Sequence, residues 1–87
     1  MPDVHADPDK LRQFASMLSR SAQQLESITR QLQRSLDSTG WQDSERQRFE
    51  EDFMQTVRIL TQFTDRLRSH YAPQLQKKAT ALDRFRE

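Results

Sequence analysis

Four leucines at strict seven-residue intervals, Leu11, Leu18, Leu25 and Leu32, limit what this chain can fold into more than any other feature. A repeat of seven filled in at steps of three and four is the signature of one face of an α-helix, about 100° being turned per residue. Phe14 and Ile28 widen that face on one flank, and Ala15, Ala22 and Leu36 widen it on the other. The stripe is broader than a two-position coiled-coil seam and fits a helix packed in a bundle. Its start is marked by Asp7-Pro8-Asp9, a capping carboxylate followed by proline at the first helical position. The spacing predicts a first helix over about residues 8–38.

A second periodic run holds Phe49, Phe53, Val57, Leu60, Phe63, Leu67 and Tyr71. These steps of three and four predict a second helix over about residues 44–72. Asp43 and Ser44 are both competent caps for it, and Ser44 with Gln47 fits the S-x-x-Q capping box. Pro73 lacks a backbone donor and crowds the carbonyl one turn back, so a kink or an end is expected near residue 72. Leu75, Ala79, Leu82 and Phe85 still repeat at helical spacing, which leaves a shorter third segment or a continuation over the basic stretch 74–87.

Between the helices the chain places its only glycine and only tryptophan side by side, Gly40 and Trp41. Gly40 can close the first helix in the left-handed conformation that other residues avoid. The turn over about 39–43 is then too short for anything but an antiparallel neighbour. Trp41 is expected either to plug this end of the hairpin between Leu36 and Phe49, its N–H bonded to a carbonyl or water, or to lie in a groove at the end of the bundle that a partner reads.

The 87 residues allow one domain, over 1–87, and they contain no cysteine, so neither disulfides nor thiolate metal sites can staple it. Leu, Ile, Val and Phe number eighteen, close to the one-fifth below which a charged chain is expected to stay disordered. Such a chain needs help from packing or from a partner. The reading is therefore all-α: an antiparallel two-helix hairpin, each arm about 45 Å long, expected to dimerise into a four-helix bundle. The expected partner is a similar hairpin, as homodimer or heterodimer. Its interface would use Leu11, Phe14, Leu18, Leu25, Ile28 and Leu32 from the first helix and Phe53, Leu60, Phe63 and Leu67 from the second. Charged residues at Leu25 and Leu60 together are expected to dissociate the dimer.

A helix, a short turn carrying Gly40-Trp41-Gln42-Asp43, and a second helix with an aromatic at Phe49, in under a hundred residues, resemble the WxG helical-hairpin family. That resemblance implies a small non-enzymatic hairpin that dimerises and is handled by the type VII (ESX) secretion system, as a secreted factor or as the adaptor of a co-secreted partner. It marks Gly40, Trp41 and Asp43 as the turn motif and implies contact with the secretion machinery. Asp43 stands where the family tripeptide has its second glycine, so the motif here is W-x-D. Exported members or their partners commonly carry a tyrosine followed four residues later by an acid. In this chain Tyr71, the only tyrosine, is followed at that spacing by Leu75, so a partner would supply the signal or export would not use this route. The expected location is the bacterial cytoplasm with export that needs no cleavable signal peptide, because Met1–Asp9 is acidic and no apolar span follows.

Other functions find little support. The net charge of +1 hides 27 charged groups of nearly equal count, which suits solvated helix faces better than a nucleic-acid footprint. Glu26 with Arg30 and Arg48 with Asp52 are spaced to form ion pairs on one helix, and only Lys77, Lys78, Arg84 and Arg86 form a small basic patch. His5 and His70, the two histidines, are too few and too far apart for a metal site. Glu50, Glu51 and Asp52 are consecutive and so fan around a helix rather than converge. No nucleophile elbow or phosphate loop can be built with one glycine, so no catalytic, metal or cofactor site is expected. Two alternatives remain open: a polymerising hairpin subunit like the needle proteins of type III secretion, and a small helical regulatory or nucleic-acid-binding protein.

Overall fold

The computed structural model describes residues 6–86, and all its regular structure is helical. Helix α1 spans Pro8–Ser38, α2 spans Ser44–Arg66, a π-helical turn occupies Leu67–Tyr71, and α3 spans Ala72–Arg86. The molecule is a rod of 65 × 18 × 16 Å with a radius of gyration of 19.3 Å, where a globule of this length would have about 12 Å. His5, considered above as a metal ligand, lies outside the described residues.

The start of α1 follows its sequence signals. Asp7 adopts an extended conformation and accepts the backbone N–H of Asp9 at 2.9 Å, with Pro8 at the first helical position. At the other end Thr39 is the last residue in helical conformation, and Gly40 follows at φ +70°. A Cβ at Gly40 would meet nothing within 4 Å, so glycine is needed there for its backbone freedom alone.

Of the outcomes that Pro73 left open, the second arm takes continuation. Pro73 does not end it: α2, the π turn and α3 run on without a break from Ser44 to Arg86. The chain accommodates the proline by widening the preceding turn, and the N–H of Ala72 reaches back five residues to the carbonyl of Leu67. The arms are consequently unequal, about 46 Å for α1 and about 64 Å for the continuous second arm at helical rise. The longer one accounts for the full length of the rod.

Widening the turn also changes which residues face inward. One extra residue in a turn sets every later side chain back by about 100°. An unbroken α-helix carrying Thr64 and Leu67 inward would have brought Tyr71 and Lys78 to the same line. Instead Ala72, Ala79 and Leu82 are buried with Thr64 and Leu67, and Tyr71 is turned out. Facing them, α1 buries Pro8, Ala15 and Ala22. Ala15, Ala22 and Ala79 have no exposed surface at all. Leu67 and Leu82 apart, the seam is thus lined with small side chains, and the hydroxyl of buried Thr64 is satisfied by donating to the Thr61 carbonyl at 2.9 Å.

Ion pairs fasten the arms along one side. Arg12 pairs with Asp83, and Arg68 donates to Glu26 at 2.5 Å. The Glu26–Arg30 pair anticipated from sequence spacing gives way to this cross-arm pair, and Asp52 takes no ion pair with Arg48. The hydrogen bond from Arg68 holds the Glu26 carboxyl below its ordinary pKa. Its contribution is complete above the ordinary carboxylate range and is lost as pH falls through the lowered value.

Candidate partner-binding surface

Small residues inside leave large ones outside. Phe14, Met17, Ile28 and Leu32 of α1 are each about half exposed, as are Phe49 and Phe63 of α2, while Ile59 is 66% and Phe85 81% exposed. On α1, Phe14, Ile28 and Leu32 trail the buried Ala15–Ala22 line by roughly a quarter turn or more at about 100° per residue. On the second arm Ile59 and Phe63 trail Thr64 in the same sense. Because the arms are antiparallel, that shared rotation puts both sets on one broad face of the hairpin. The cross-arm pairs of Arg12 with Asp83 and of Arg68 with Glu26 occupy the opposite face.

The anticipated interface residues divide accordingly. Phe14, Ile28, Leu32 and Phe63 stand on the outer face. Leu11, Leu18, Leu25, Phe53 and Leu60 are half-buried along the edge of the seam. Leu67 is 6% exposed and is used up within the hairpin. Met17 and Ile59 belong to the outer face and were absent from the anticipated set. Met17 lies one turn beyond Phe14 and could have been read from it, whereas Ile59 falls outside the steps of three and four that define the inner line.

At the open end this face deepens into a groove of about 790 Å³ between α1 and α3, lined by Phe14, Leu18, Tyr71, Leu75, Lys77 and Lys78 among others. Tyr71 reaches the groove because the π turn rotates it outward. Beside it His70 makes an edge contact with the ring at 5.1 Å between centroids, and the Arg66 guanidinium lies 5.4 Å from it.

At the closed end Trp41 is half-buried. Its ring packs on Phe49 with centroids 5.6 Å apart, and Phe49 stacks on Phe53 at 5.8 Å. The indole N–H donates to Asp43 Oδ1 at 2.7 Å, not to a carbonyl or water as anticipated. The same oxygen accepts the backbone N–H groups of Glu45 at 3.0 Å and Arg46 at 3.1 Å. Asp43, rather than the Ser44 capping box, is therefore the cap of α2. A carboxylate satisfies two orphan donors and the indole at once, which the serine hydroxyl could not reach. Arg46 completes the closure by donating to the Trp41 carbonyl at 2.8 Å and to Asp37 Oδ1 at 2.9 Å.

Asp43→Ala is expected to cost about 1–2 kcal/mol, the worth of a helix cap, and to shift tryptophan emission to the red as the indole loses its partner. Asp43→Asn should keep most of both. Chemical denaturation followed by fluorescence reads the two effects together, and an unchanged midpoint and spectrum in Asp43→Ala would count against this linkage.

No helix among the described residues is long and apolar enough to cross a membrane. No protein-family model matches the chain, and neither the curated proteins nor the solved structures yield a match.

Proposed function

We propose that this chain is a non-enzymatic helical hairpin of the WxG type that works by pairing with a similar hairpin, as a dimeric factor handled by type VII (ESX) secretion or as adaptor of a co-secreted partner. One observation carries the pairing. The hairpin's own seam buries four alanines and Thr64 with only two large apolar side chains, Leu67 and Leu82, and leaves Phe14, Met17, Ile28, Leu32, Ile59 and Phe63 about half or more exposed, an order that the hydrophobic effect favours only if another surface covers them. The surface area supports this. The chain exposes 7073 Å², roughly 1,700 Å² more than expected for a compact monomer of its mass, and a standard interface takes about 800 Å² from each partner.

The secretion reading rests on the Gly40-Trp41 turn with its W-x-D sequence, in which Asp43 supplies the cap and ties down the indole. A divergent turn that still closes the hairpin is compatible with a member whose export signal comes from its partner.

Two measurements test this. Light scattering on a sizing column should give a solution mass of two chains, alone or after mixing with a hairpin encoded beside it. Export is then followed in a bacterium carrying an active type VII system. Appearance in the medium that stops when the secretion ATPase is inactivated supports the secretion reading, and ATPase-independent behaviour of both the chain and its partner would reject it.

A further inference from the structure

We propose that the groove at the open end binds a medium-chain carboxylate, its tail laid on the apolar floor and its head held by Lys77 and Lys78. This goes beyond the pairing proposed above and does not depend on it. Of Phe14, Ile28, Leu32 and Phe63 on the outer face, only Phe14 lines the groove.

The head group follows from the charge. Lys77 and Lys78 belong to the lining, and no carboxylate does. Three and four residues to either side of each lysine stand only proline, glutamine, leucine, threonine and alanine, so no helical neighbour can pair with them. Asp83, the one acid between Ala72 and Arg86, is engaged with Arg12. Among the described residues neither lysine takes part in an ion pair. Phe14 and Leu18 from α1 and Leu75 from α3 make the floor beside them, and the lysine stems extend it while their ammonium groups reach the rim. Such a site complements a molecule with an apolar body and an anionic end.

The size sets the tail. From Tyr71 to Ala81 the groove runs about 15 Å at helical rise. Spread over that length, its volume of about 790 Å³ gives a cross-section of about 50 Å², below the roughly 80 Å² of a helix some 10 Å across. An alkyl chain enters where a partner helix would not. It also brings no backbone donors or acceptors, which suits a lining whose only neutral polar side chains are Gln74 and Tyr71. Lys78 lies about 10 Å from Tyr71 along the axis. An extended chain of about nine bonds covers that distance at roughly 1.2 Å per bond, so an acid of about ten carbons fits. The π turn is what places the Tyr71 ring at the inner end of this track, and such turns are frequent at functional sites.

Calorimetric titration of the full chain with decanoate, kept below its micelle concentration, tests the proposal. One decanoate per chain is expected, bound about tenfold more tightly than decanol, the effect of two exposed charge contacts. Affinity should rise about twofold to fourfold per methylene from octanoate to decanoate and level off toward tetradecanoate. Lys77→Gln with Lys78→Gln, both at exposed positions, should remove the tenfold preference and leave decanol binding unchanged. Ala81→Trp, which fills the groove, should abolish binding of both while circular dichroism shows the helix intact. Ile28→Glu with Phe63→Glu should bind decanoate as the unmodified chain does, so failure of the pairing and failure of this site are read separately. Equal affinity for decanoate and decanol, affinity that climbs without levelling, or no saturable binding would overturn the proposal. Binding of phosphatidylglycerol vesicles or of an acidic peptide, with none of decanoate, would overturn it in favour of a membrane or a protein.

Discussion

Replacing Ala22 with leucine is expected to lower the midpoint of thermal unfolding by about 5–20 °C, the range that overpacking by 1–3 kcal/mol produces in a chain of this size. Ala22 has no exposed surface and faces an arm that itself presents Ala72, Ala79 and Leu82. Three added carbons have nowhere to go unless the helices separate, and separation would strain the cross-arm pairs of Arg12 with Asp83 and Arg68 with Glu26. Ser27→Leu, which puts the same side chain at an exposed position of the same helix, should change the midpoint little. Circular dichroism melts of the two variants at equal concentration make the comparison. Similar midpoints would show that the alanine seam is looser than its burial implies.

Under the proposed pairing, Ile28→Glu combined with Phe63→Glu should leave the chain monomeric at micromolar concentration, raising the dissociation constant at least about a hundredfold through four desolvated charges. Both residues are half exposed in the hairpin, so helical content is expected to persist. This pair discriminates better than Leu25 and Leu60, which are half-buried at the seam edge and would loosen hairpin and dimer together. A sizing-column mass unchanged by the double substitution would exclude the outer face as the interface.

Much of this architecture is legible in the sequence. The limits of α1 follow from Asp7-Pro8 and Gly40, since capping and left-handed closure are local effects that a few residues decide. The course of the second arm is harder to read because Pro73 permits two outcomes. A helix can stop, or one turn can widen and let it continue, and the choice depends on what the later residues bury. Only α1, with alanines at positions 15 and 22, makes continuation worthwhile. The same nonlocal choice hides the division of the apolar stripe. Leucine spacing announces a face, yet whether its leucine edge or its alanine edge meets the neighbouring arm depends on the neighbour's phase. Asp43 illustrates a subtler miss. As a cap it is readable, but its bond to the indole needs the turn's conformation in three dimensions.

The π turn at Leu67–Tyr71 also bears on how such a chain can change over time. One residue more or fewer in an α-helix normally swings every packed side chain beyond it out of place. Within this wide turn the loss of one residue is absorbed, because an ordinary α turn then spans the gap and Ala72, Ala79 and Leu82 keep their direction toward α1. The obstacle is Pro73, whose ring would again crowd the carbonyl one turn back. A lineage that lost both the proline and one residue of the turn would keep its alanine seam and its groove-bordering lysines in register. Anywhere else along the arm, a change of length would revise the buried seam and the outer apolar face together.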